Sequence, residues 1–167
     1  DYLKDSQKLL HNKDLIELDT QHLKSKMGFE TIFSSDWKHY QETFLSIVSE
    51  TCFDNNSIYF SEKTIKPLLH MHPFIMMSTP YTLQKLNELG FKTFDGFIDE
   101  SYDREEQTKA RFQMILREID KFNDKPFEEL KNWWTDILPI LEHNQKRLLE
   151  LGQQKTKKIK LLEKIND

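Results

Sequence analysis

Six consecutive residues, Pro73-Phe74-Ile75-Met76-Met77-Ser78, offer almost nothing polar to water. A run this short and this apolar suits a central parallel strand covered on both faces. Residues 43–51, Thr-Phe-Leu-Ser-Ile-Val-Ser-Glu-Thr, are β-branched and apolar, and the turn-rich Asp54-Asn55-Asn56-Ser57 follows them. They read as a buried strand ending in a loop. Between the two strands, Thr64-Ile65-Lys66-Pro67-Leu68-Leu69-His70-Met71 reads as a short helix. Pro67 fits only near the start of that helix, because a proline further in removes a backbone bond and clashes. An N-cap at Ser61 or Thr64 keeps it close to the first turn.

The signals after the second strand are cleaner. Thr79 is the expected N-cap, Pro80 the first helical residue, and Leu83, Leu86 and Leu89 follow at helical spacing before Gly90 closes the helix. Phe91-Lys92-Thr93-Phe94 reads as a third short strand. Strand, helix, strand, helix and strand in that order predict right-handed crossovers in a parallel sheet, a half-Rossmann α/β layout. From about Tyr102 the chain turns helical. Phe112, Ile115, Leu116, Ile119 and Phe122 form one apolar stripe. Phe127, Leu130, Trp134, Ile137, Leu138 and Leu141 form another, with a kink expected at Pro139. Three regions result: a peripheral segment at 1–35, an α/β core at 36–103 and a helical extension at 104–167. In the first, Leu9, Leu10, Leu15, Ile16, Leu18 and Leu23 are patchy, and Gly28–Phe33 suggests a short strand.

Composition limits the functions available. At 167 residues with 12 Phe, 5 Tyr and 3 Trp, the chain has the aromatic content of a folded domain. A net charge of -4, from 24 basic and 28 acidic residues, argues against a general nucleic-acid binder. Cys52 is the single cysteine, so no internal disulfide forms and a reducing, cytoplasmic setting is expected. No apolar run approaches the roughly 20 residues of a membrane span, so no integral membrane segment is expected. Four glycines exclude a Walker or dinucleotide loop. The chain begins at Asp1 rather than Met, which suggests a processed or excised piece of something longer.

In open parallel sheets, ligands bind beyond the carboxyl ends of the strands. That edge carries Ser49, Glu50 and Thr51 after the first strand and Ser78 and Thr79 after the second. A helix starting near Ser61 presents free N–H groups and a positive dipole end to an anion, with Lys63 and Lys66 as cationic donors. Glu62 suits a vicinal diol such as a ribose. Together these are the parts of a nucleotide site.

The same residues carry a resemblance. Phe44-Leu45-Ser46-Ile47-Val48-Ser49-Glu50, then Tyr59-Phe60-Ser61-Glu62-Lys63 and a Pro-Phe-Ile strand, resembles the donor-binding motif of α1,3-fucosyltransferases. There a strand ends in Phe-Glu-Asn, followed by Tyr-Val-Thr-Glu-Lys, a helix and a Val-Pro-Val-Val strand; exostosin-like glycosyltransferases carry a similar segment. The likeness spans Phe44 to Thr79, roughly a fifth of the chain. It implies the C-terminal, donor-binding domain of a GT-B glycosyltransferase. Glu62 would then hold the ribose and Lys63 the diphosphate, Tyr59 and Ser61 would shape the pocket, and Glu50 would approach the sugar or its anchoring network. The substrate would be a nucleotide sugar such as a GDP-sugar, the acceptor a glycan or protein, and no metal would be needed. An acceptor domain would lie N-terminal to this one. Three departures are Thr51 in place of Asn after Glu50, Ser61 in place of Thr, and the Ile65-Lys66-Pro67 continuation.

A competing expectation is a non-catalytic interaction module, with the α/β part a degenerate scaffold and the C-terminal helices binding a protein partner. Other features have two readings each. His70 and His72 suggest a metal pair only weakly, being spaced for one face of a strand, not of a helix, and lacking an adjacent acidic or cysteine partner. Met76-Met77 reads as core. Asp99, Glu100 and Asp103 around Tyr102 form either an acidic loop facing an acceptor or, with Ser101, the cap of the next helix. Trp133-Trp134 suits either a sugar platform or the core, and the Lys155–Lys164 run either phosphates or a solvated helix face.

Overall fold

A computed structural model of the chain describes residues 38–54 and 57–166, with side chains described as far as residue 154. The segment expected at 1–35 and the side chains of the Lys155–Lys164 run lie outside the described residues. Contacts divide the chain into a unit at 36–155 and a second made of 1–35 with 156–167. The description below concerns the first.

This unit is an α/β fold. Helix α1 (Lys38–Glu42) leads into strand β1 (Ser46–Ser49), helix α2 (Glu62–Leu69) and strand β2 (Phe74–Met77). Helix α3 (Thr82–Glu88), a 3-10 turn (Glu100–Arg104), helix α4 (Thr108–Asn123) and, as far as residue 155, helix α5 (Phe127–Asn166) complete it. The strands pair in parallel, Ser46 opposite Phe74 through Ser49 opposite Met77, with α2 as the crossover. The ladder is extended at both ends, by Ser46 N–H to Pro73 O at 2.9 Å and Glu50 N–H to Met77 O at 3.0 Å. Phe74, Ile75 and Met76 are all buried, as a strand covered on both faces requires. In β1 the burial alternates instead: Val48 faces the core and Ile47 faces out.

The expected third strand does not form. Residues 91–94 join no ladder, and their backbone pairs with side chains instead. Lys92 N–H donates to Asn144 Oδ1 at 2.7 Å, Asn144 Nδ2 donates back to Lys92 O at 2.8 Å, and Phe94 N–H donates to Glu100 Oε1 at 2.8 Å. The amide of Asn144, a buried residue on α5, thus takes the place of a neighbouring strand. Among the described residues the sheet has two strands.

Helix boundaries differ from expectation in one instructive case. Neither Thr79 nor Pro80 starts α3; the N-cap is Tyr81, which is left-handed at φ 66° and makes no side-chain cap. The Asp103 carboxylate supplies the cap, accepting from Leu83 N–H at 2.9 Å and Gln84 N–H at 3.1 Å. At the other end Gly90 has φ 89°, the left-handed conformation that favours glycine. A Cβ there would also lie 2.7 Å from Arg147 Nε. That side chain donates to Leu89 O at 2.8 Å, and the His143 ring donates to Gly90 O at 2.9 Å, so α5 satisfies the last carbonyls of α3.

Residues on either side of position 103 share one core, in which Ile115, Ile137 and Leu141 join Ile75, Leu86 and Phe94. Helix α4 is rotated from the expected stripe: Phe112 and Leu116 are 39% and 42% exposed, and the buried face runs through Arg111, Ile115 and Glu118. Helix α5 is a single helix across Pro139, and Phe127 at its start is 76% exposed. Among the described residues no helix is long and apolar enough to cross a membrane.

An aromatic contact fastens α1 to this core. Tyr40 stacks on His70 at 4.6 Å between ring centroids and meets His72 edge-on at 5.3 Å. The His72 ring donates from Nε2 to Thr43 O at 3.0 Å and accepts at Nδ1 from the Ser46 hydroxyl at 3.0 Å. Burial, aided by the charges of His72 and Lys66, holds His70 below its usual pKa of 6.5. Burial lowers His72 as well, against hydrogen bonds that raise it. A base held below its unfolded pKa stabilises the fold above that pKa and loses this contribution as pH falls. The stability of the natural chain relative to His70→Phe, which keeps the stacked ring, is therefore expected to be lower at about pH 5.5 than at about pH 7.5 in thermal unfolding.

Candidate functional site

The carboxyl edge of the sheet is where the expected ligand would sit, and two charges of the chain dominate it. The first is Glu50, one residue past β1 and 4% exposed. Its Oε1 accepts from Ser61 N–H at 2.9 Å and from the Thr64 hydroxyl at 2.5 Å, and its Oε2 accepts from the Ser61 hydroxyl at 2.7 Å. Ser61 is the N-cap of α2, and its hydroxyl also accepts from Lys63 N–H at 3.2 Å. Burial pushes the Glu50 carboxyl up, but the Thr64 and Ser61 hydrogen bonds and the charge of Lys63 outweigh it and hold the pKa below the ordinary range. A carboxylate thus sits at the positive end of α2, the position a bound anion would take.

The second charge is Arg111, reaching from the first turn of α4 and only 1% exposed. Its Nε donates to Ser78 O at 3.1 Å, its Nη1 to Glu105 O at 2.8 Å and Glu106 O at 3.3 Å, and its Nη2 to Phe53 O. The guanidinium also lies 4.5 Å from the centroid of the Phe53 ring. Among the described residues no carboxylate lies within ion-pair distance of it. Burial lowers its pKa, opposed by the fields of Asp54, Glu105 and Asp103. Four carbonyls from three segments converge on one cation: the loop after β1, the end of β2 and the entry to α4.

The six residues expected to bind the donor divide into three groups. Glu50 and Ser61 are buried together with Thr64 in the network above. Tyr59, at 58% exposure, and Lys63 face solvent, and Glu62 and Lys66 are half-buried on α2. A cleft of about 330 Å³ elsewhere, among Phe97, Glu118, Phe122 and Trp133, includes none of the six. Among the described residues no group of three His, Cys, Asp or Glu is placed to hold a metal ion.

Of the acidic residues near Tyr102, two cap local structure and one of these, Asp99, also lines the cleft. Asp103 caps the preceding helix α3, not the following one. Asp99 caps the 3-10 turn through Ser101 N–H at 3.0 Å. Glu100 is pushed up to about 7, first by burial and then by Asp95 and Asp103, despite hydrogen bonds to Thr93 and Phe94. Sequence reading missed Arg111 altogether. The signal available was its phase: Arg111, Ile115, Glu118 and Phe122 recur at helical spacing, so two charges fall on the core face. No protein-family model, curated protein or solved structure matches this chain.

Replacing Arg111 by Leu strands four carbonyls, and a loss of about 3 kcal/mol or more is expected in urea unfolding, with Arg111→Lys recovering only part of it. Glu100 behaves with the opposite sign from the histidines. An acid raised from 4.5 to about 7 stabilises the fold below pH 4.5 and loses that contribution as pH rises through 7. Glu100→Gln is therefore expected to raise the thermal midpoint at about pH 8 and leave it nearly unchanged at about pH 4.

Proposed function

We propose that this chain is a non-catalytic α/β scaffold that binds a protein partner through helices α4 and α5. The observation that carries the reading is the occupation of the sheet's carboxyl edge. The helix terminus that would hold a phosphate is filled by the Glu50 carboxylate, and the ends of the strands are bound by the Arg111 guanidinium. Neither group has to be displaced for the fold to be complete, and displacing either breaks several hydrogen bonds. The helices supply apolar surface instead: Phe112 and Leu116 one turn apart on α4, and Phe127 at the start of α5.

A second reading is the donor-binding half of a glycosyltransferase. It is supported by the parallel β1–α2–β2 crossover with Tyr59 and Lys63 exposed beside the start of α2. In that reading a GDP-sugar or another nucleotide sugar lies outside the Glu50 network, with Glu62 on its ribose, Lys63 and Lys66 on its diphosphate, and an acceptor domain supplied N-terminally.

One paired experiment separates them. The double variant Leu116→Lys, Phe127→Ser is expected to keep the natural unfolding midpoint and lose the proteins that the natural chain captures from extract. Calorimetric titration with GDP, UDP and CMP sugars is expected to give no heat. An unchanged set of captured proteins overturns the scaffold reading, and binding that disappears in Lys63→Ala and Glu62→Ala establishes the second.

A further inference from the structure

The two lateral edges of the sheet are treated differently by the rest of the chain. Ser46 N–H donates to Pro73 O at 2.9 Å and Glu50 N–H to Met77 O at 3.0 Å, so the even-numbered residues of β1 turn their backbone groups toward β2. Alternate residues of a strand face opposite neighbours, and the N–H and C=O groups of Ile47 and Ser49 therefore point away from β2. Among the described residues, no hydrogen bond from outside the ladder reaches either backbone. The outer row of β2 is closed by contrast. Phe74 and Met76 are 3% and 2% exposed, and Met76 N–H donates to the hydroxyl of the buried Tyr102 at 3.4 Å.

Side chains repeat this asymmetry. Val48 and Glu50 are buried, whereas Ile47 is 50% exposed and Ser49 is exposed. An unpaired row of N–H and C=O groups is a template for another strand, and proteins that stay alone guard it with lysine, proline or a bulge. None of these guards is present here. Thr43-Phe44-Leu45-Ser46-Ile47-Val48-Ser49 contains no charged residue, proline or glycine. The next charge, Glu50, is turned inward onto Ser61 and Thr64.

We infer that β1 pairs along this open edge with β1 of a second copy, antiparallel about a two-fold axis at Ile47. The strand reads Ser-Ile-Val-Ser, nearly the same in both directions, so an inverted copy presents a matching row. A two-fold at Ile47 sets the exposed Ile47 side chain against its equivalent and Leu45 against Ser49, and adds about six backbone hydrogen bonds. Like charges do not come opposite one another, because residues 43–49 carry none. The product is a four-stranded sheet, an ordinary size, where two strands alone are marginal. With both outer rows sealed at β2, growth stops at a closed dimer. The inference uses neither the exposed faces of α4 and α5 nor either reading of the carboxyl edge.

Sedimentation of the full chain over a dilution series is expected to show a monomer–dimer equilibrium. Ile47→Lys sets two ammonium groups against each other at the axis, and Ser49→Pro removes an outward N–H while leaving the ladder to β2 intact. Each is expected to raise the dimer dissociation constant at least about tenfold with an unchanged far-UV spectrum. Amide exchange in the natural chain needs no variant: Ile47 and Ser49 are expected to exchange at least about tenfold faster in the diluted monomer than in the dimer. A monomer at every concentration overturns the inference, as does a dimer of natural affinity in both variants. So does a dimer that is lost in Leu116→Lys, Phe127→Ser instead, which places the interface on the helices. Slow exchange of both amides in the monomer means that the chain's own residues cover the edge, and equally overturns it.

Discussion

A single buried guanidinium holds the end of this sheet together. Two strands of four residues are too short to define a stable edge alone, and a pair of strands this small is marginal without added packing. Arg111 supplies the missing restraint by binding carbonyls of the loop after β1, the end of β2 and the start of α4 at once. Burying a cation without a carboxylate is costly, and its retention depends on the carbonyl dipoles and the Phe53 ring that replace its hydration. Glu50 answers it with the opposite sign at the start of α2. The two charges occupy the same end of the sheet, and each is satisfied by the protein's own groups.

Much of the first half was legible. Strands β1 and β2 fall inside the runs 43–51 and 73–78, Ser61 caps α2, and Gly90 ends α3 through its positive φ. These features follow from local chemistry: apolar runs, a serine before a helix, a glycine after one. The departures share a different cause. The third strand fails because Asn144 and Glu100 satisfy its backbone from a distance, and α3 starts late because Asp103, twenty residues on, caps it better than Thr79 does. Side chains remote in sequence took over work that local residues were expected to do.

The same principle governs the candidate site. A carboxylate, a serine and a lysine around the start of a helix are legible as an anion-binding pattern, and the pattern does bind an anion. That anion is Glu50, which sequence alone placed near the site without showing that its hydrogen bonds turn inward. Arg111 and Glu118 were illegible for the opposite reason: charged residues on a helix are read as solvated, and only the phase of α4 against the core reveals otherwise.

Asn144 has a consequence for the order in which the molecule can mature. Its amide clasps Lys92 across 52 residues, and the neighbouring Gln145 reaches Leu69 O across 76. During synthesis from the N-terminus, the backbone at residue 92 and the exposed end of α2 must stay hydrated until α5 has left the ribosome. The sheet and its crossover leave the ribosome before Asn144 and Gln145 do, so these backbone groups of the α/β half stay unsealed until that part of α5 follows.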